Sequence, residues 1–210
     1  MLRISRNASP GCKRMLKDIR FKAKKNNIKL LFTTDKIITP KGDVSSIGYF
    51  DDKRRVLAVS NFRDLNVFIP ILAHESSHLD QFLEDTFLWD KCSPGYNLFF
   101  NWLNGDDLDM HRVKESVHDI IRLERDCELR AINKLKSYKI KFDIKRYIKT
   151  MNAYLYGYLF FMEKRSWIPG IYLKDYITKA SPSKIHDSYE EIPVNLRKAF
   201  DKAYAEVMTD

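Results

Sequence analysis

His74, Glu75 and His78 stand as His-Glu-x-x-His inside the stretch Ile71-Leu-Ala-His74-Glu75-Ser-Ser-His78-Leu-Asp-Gln-Phe82. On a helix, residues four apart share a face. Both imidazoles can then reach one Zn²⁺, and the glutamate between them can take a proton from a metal-activated water. That is the chemistry of a hydrolase. Shuffling the composition reproduces this five-residue pattern on the order of once in a few hundred chains, so chance is a weak rival. At about 100° per residue, Phe68, Ile71, Leu72, Leu79 and Phe82 form one apolar stripe with Glu75 in its middle. An ionised carboxylate rarely lies on such a stripe without a partner.

Two histidines do not complete a zinc site: structural zinc takes four protein ligands, catalytic zinc three and a water. The third donor must come from another element. Residues 110–138 read as a long helix whose stripe is Val113, Val117, Ile120, Ile121, Cys127, Ala131 and Leu135. Glu124 and Glu128 both fall on that stripe, one turn apart. Two carboxylates facing a core at this spacing repel each other unless a cation and a hydrogen-bond donor hold them. A zinc ion and a histidine N–H would supply both. His111 and His118 are further candidates for the third ligand or for stabilising an oxyanion, although His118 points off the stripe. They and His186, in a late loop, read more simply as surface or supporting histidines.

His74-Glu75-x-x-His78 followed by Glu124-Arg-Asp-Cys127-Glu128-Leu-Arg-Ala131 resembles the gluzincin metallopeptidases, and is closest in form to small, single-domain, phage-type members. The resemblance implies zinc on His74, His78 and Glu124, with Glu75 as general base. It makes Cys127 a small packing residue and Glu128 the brace of a motif histidine. The family's brace is usually Asp, one methylene shorter, which leaves open that Glu128 coordinates and Glu124 supports. The resemblance covers the two helices and the strands before them. It implies a peptide or protein substrate, lying extended beside one strand of a hairpin.

The elements that must position these residues follow from the pattern. The expected fold is α+β: a small antiparallel sheet of about three strands within residues 28–60, a zincin-like pair of active-site helices, and a mostly helical C-terminal half. Residues 46–50 and 55–60 read as a hairpin. The motif helix spans 64–85, with Asp64 a candidate cap and Pro70 forcing either a start or a bend nearby. Residues 86–109 read as a long aromatic, turn-rich connector, either a wall of the cleft or a plug of the core edge. Asp143 should cap a helix running to about Lys164 in the helical part, 143–210. On that helix Tyr147, Met151, Tyr154 and Tyr158 form a stripe, and Tyr154 is a candidate donor to a tetrahedral oxyanion, though such stripes are more often core.

With 210 residues, 44% of them hydrophobic, the chain suits one metallopeptidase-like domain over 1–210. Three cysteines without CxxC spacing suggest a reducing, cytoplasmic setting. No secretory apolar run opens the sequence, and its longest apolar run falls far short of the roughly twenty residues that span a bilayer. Residues 1–29 hold ten Lys or Arg and one acid, Asp18, so the whole net charge of +9 resides there. This basic helix could meet nucleic acid or an acidic partner, and a packed amphipathic helix with a solvated basic face is the simpler reading. A different class of function stays in view: a basic nucleic-acid-associated or regulatory binding protein with a structural or vestigial zinc site.

Overall fold

The computed structural model describes residues 8–39, 46–61, 65–84 and 86–209. The fold is α+β: among the described residues, eight α-helices, one 3-10 helix and three strands. The chain divides into two compact units, residues 1–86 with 126–142, and residues 87–125 with 143–210.

In the first unit, α1 (Pro10–Lys25) begins where Ser9 accepts from the Cys12 amide and Pro10 takes the first helical position. It buries Cys12, Met15, Leu16, Ile19 and Ala23 and leaves Lys13, Arg14, Lys17, Arg20 and Lys24 exposed. Phe21, between Arg20 and Lys22, is 71% exposed and adds a ring to the basic face. Gly11 lets α1 approach the turn at Tyr138, since a Cβ there would lie 2.2 Å from the Tyr138 carbonyl oxygen.

The sheet comprises β1 (Lys29–Thr33), β2 (Gly48–Asp51) and β3 (Val56–Ser60) in the order β1-β3-β2. The expected antiparallel sheet is mixed. β2 and β3 form the expected hairpin, with Gly48 opposite Val59, because so short a connection can only return the chain antiparallel. Its turn is held by the Arg54 amide donating to Asp51 and by Arg55 in the left-handed region at φ 55°. β1 instead lies on the other side of β3 and runs parallel to it, Lys29 opposite Val56. β3 is therefore central, and Leu57, Ala58, Val59 and Ser60 are buried.

α2 (Leu65–Leu83) packs across β2 and β3. Pro70 falls inside it without ending it. The candidate cap Asp64 lies outside the described residues. Apolar contacts run from Phe32 to Phe68 and from Phe50 to Phe82, so the histidine-bearing helix is fixed to the sheet at both ends.

In the second unit, the segment expected as a turn-rich loop is helical: α3 (Phe87–Cys92) and α4 (Pro94–Leu103). Pro94-Gly95 signals a helix start here, because proline at the first turn has no hydrogen bond to lose. α4 ends at Asn104-Gly105, where Gly105 has φ 111°. Trp89, Phe99 and Trp102 are buried as core. α6 (Ile144–Lys164) is capped by Asp143, which accepts from the Arg146 amide. It packs with η1 (Ile171–Leu173), α7 (Asp175–Ala180) and α8 (Val194–Met208) around Phe160, Phe161 and Phe200. α5 (Met110–Ser137) is one continuous helix of 28 residues, belonging to this unit as far as residue 125 and to the first unit from residue 126. No described helix is long and apolar enough to cross a membrane.

Candidate metal centre

One turn of α2 separates His74 from His78, and their ring centroids stand 4.8 Å apart. Each ring is oriented through Nδ1. His74 Nδ1 lies 3.1 Å from Glu128 Oε1, and His78 Nδ1 lies 2.8 Å from Gln81 Oε1. A carboxylate or amide oxygen can only accept, so each Nδ1 carries a proton, and Nε2 is the ring atom that could face a metal once it gives up any proton of its own. The Gln81 amide is itself fixed, donating from Nε2 to Asp126 (2.8 Å), which also holds Arg130. Burial alone would lower the His74 pKa, but Cys127 and Glu128 beside it raise it well above the ordinary histidine value.

On α5, Glu124, Cys127 and Glu128 share a face by their spacing of three and four. Glu124 is 2% exposed, and its Oε1 accepts from three phenols: Tyr96 at 2.5 Å, Tyr154 at 2.7 Å and Tyr158 at 3.1 Å. A carboxylate oxygen so engaged directs Oε2 to any further partner. Burial, and then the charge on Glu124, raises Tyr154 and Tyr158 well above the usual phenol pKa, so both remain neutral donors. The Tyr154 and Tyr158 hydroxyls also lie 2.8 Å apart, where either can donate to the other.

His74, His78, Glu124 and Cys127 each offer one donor atom, and the four atoms lie within 4.8 Å of one another. Donors around a tetrahedral zinc stand about 3.4–3.8 Å apart, given bonds of about 2.1–2.3 Å. Two imidazoles, a carboxylate and a thiol fit a borderline-soft cation such as zinc, so this buried group can hold a metal ion. Glu128 stands outside the group, on His74. Glu75, 6% exposed, lies against β2, where a Cβ at Gly48 would come within 2.8 Å of its Oε1.

The remaining histidines lie elsewhere. His111 is exposed near Glu115, His118 is 3.9 Å from Glu190, and the His186 carbonyl accepts from Arg125. Sequence reasoning missed Gln81, Tyr96 and Tyr158 as partners, and gave Cys127 only a packing role. Gln81 had a signal, its spacing of three from His78. The tyrosines, coming from other helices, had none. No protein-family model, curated protein or solved structure matches this chain.

Proposed function

We propose that this protein is a zinc metallopeptidase with His74, His78 and Glu124 as metal ligands and Glu75 as general base. The observation that carries this reading is the convergence of both motif histidines and Glu124 within 4.8 Å, with Glu75 buried between the histidines in sequence. His74, His78 and Glu124 would hold a zinc ion, which when bound would supply Lewis acidity toward a peptide carbonyl and acidify a water. Glu75 takes that water's proton and passes it to the departing amine nitrogen. Glu128 and Gln81 keep the imidazoles in the metal-binding tautomer. The three tyrosines hold Glu124. An extended substrate can lie along β2, an outer strand of the sheet whose Gly48 adjoins Glu75.

Two variants test the reading together. Glu75→Gln retains one zinc per chain and loses peptide hydrolysis by about a hundredfold or more; a glutamine variant that cleaves at the parent rate refutes Glu75 as base. Elemental analysis after dialysis should find zinc lost with Glu124→Ala, and its affinity only about 10–100-fold weaker with Glu128→Ala. Loss mainly with Glu128→Ala would exchange the two roles.

A second reading draws on α1, whose exposed Lys13, Arg14, Lys17, Arg20 and Lys24 surround the exposed Phe21. Cations and a ring on one face suit a nucleic-acid backbone and its bases, and the metal group would then be structural. Retardation of single-stranded DNA by the full chain should weaken when Lys17, Arg20 and Lys24 become alanine. Unchanged retardation removes this face as its cause.

A further inference from the structure

We propose that Cys127 is a fourth metal donor, so that an ion on His74, His78 and Glu124 rests in a closed site. The inference rests on the metal-binding part of the reading above and goes beyond it, because three donors suffice for hydrolysis and a thiolate is not required. The three cysteines differ in surroundings. Cys12 lies on α1 and accepts from the Ser9 hydroxyl. Cys92 is an inert thiol, pushed up to about 11 by burial with Asp119 beside it. Cys127 alone falls in the group with both imidazoles and Glu124. His74, His78 and Cys127 belong to the same compact unit, so one packed body sets the thiol's place against both rings. Cys127 is fully buried, and its Sγ points at the α2 turn that carries them, donating to the His74 carbonyl at 3.2 Å.

Ligation takes the thiolate. The proton that Sγ gives the His74 carbonyl leaves to solvent when the metal enters, and a metal–sulfur bond forms. A thiolate selects zinc, cobalt or cadmium over magnesium, calcium and manganese. It would also take the fourth position, so that water could enter only as a fifth ligand, the expansion that catalytic zinc allows.

The test is titration of the metal-free full chain with Co²⁺, read by absorption. One equivalent should produce a thiolate-to-cobalt charge-transfer band in the near ultraviolet. Cys127→Ser and Cys127→Ala should each lose the band and still take up one cobalt. Their affinity should be at least about tenfold weaker, the scale on which even a ligand's hydrogen-bond partner acts. Cys12→Ala and Cys92→Ala should keep the band. Cobalt bound by the parent without it, or a band that survives both Cys127 variants, overturns the proposal and leaves the three-donor site standing. A folded parent that takes up no cobalt overturns the metal site itself.

Discussion

Glu124 carries three phenols on one oxygen, brought by Tyr96 on α4 and by Tyr154 and Tyr158 on α6, and those donors hold its buried carboxylate in place. The phenols respond to it in turn. Tyr154 and Tyr158 are raised by burial and then by Glu124, and Tyr138 is raised to about 12 by burial and its hydrogen bond to Asp18. An unfolded chain releases phenol protons near pH 10, whereas the folded chain keeps them. Between about pH 10 and 12 the native state therefore binds more protons, and stability, complete below pH 10, falls as pH rises. Urea midpoints at about pH 9 and 11 measure this. Tyr138→Phe should remove its share of the slope, and a midpoint that stays level through the window contradicts the account. At this scale the meeting of His74, His78 and Glu124 and the bond from His74 to Glu128 were legible, because spacing within a helix is written in the chain. Tyr96 and Tyr158 were not, because a donor brought from another helix leaves no periodic mark.

Two glycines mark where elements approach most closely, and they should fail differently. A Cβ at Gly11 meets the backbone carbonyl of Tyr138, which cannot rotate away, whereas a Cβ at Gly48 meets the movable end of Glu75 and the Ile71 side chain. Gly11→Ala should therefore cost stability, about 1–3 kcal/mol, with metal uptake intact. Gly48→Ala should displace Glu75 and, on the proposed function, lower hydrolysis more than it lowers the melting temperature. If Gly48→Ala hydrolyses peptide at the parent rate, the contact between β2 and Glu75 has no part in the chemistry. Legibility was uneven among the elements as well. Apolar periodicity located α1, α2, α5 and α6, and the hairpin was visible in its strand-forming runs. The direction of β1 was not, because alternation reports which face a strand buries and says nothing of which neighbour it joins. The segment 86–109 was misread because a proline that opens a helix resembles one that ends it.

For the whole molecule, charge and topology act separately. Residues 1–29 hold the entire net charge of +9, so the rest of the chain is balanced. Any long-range attraction to an anionic surface is thereby concentrated in residues 1–29, and should fade with added salt. Topology governs how the sheet assembles. β2 and β3 meet across a tight turn and can pair as soon as that turn forms. β1 must bring Lys29 to Val56 across everything between them, and closing the longer loop has the larger entropic cost. The parallel edge is thus the last to join and the first to leave. In native-state hydrogen exchange, the β1 amides should open at a lower free energy than those of β2. Equal protection of the two outer strands would mean that the sheet forms and opens as one unit.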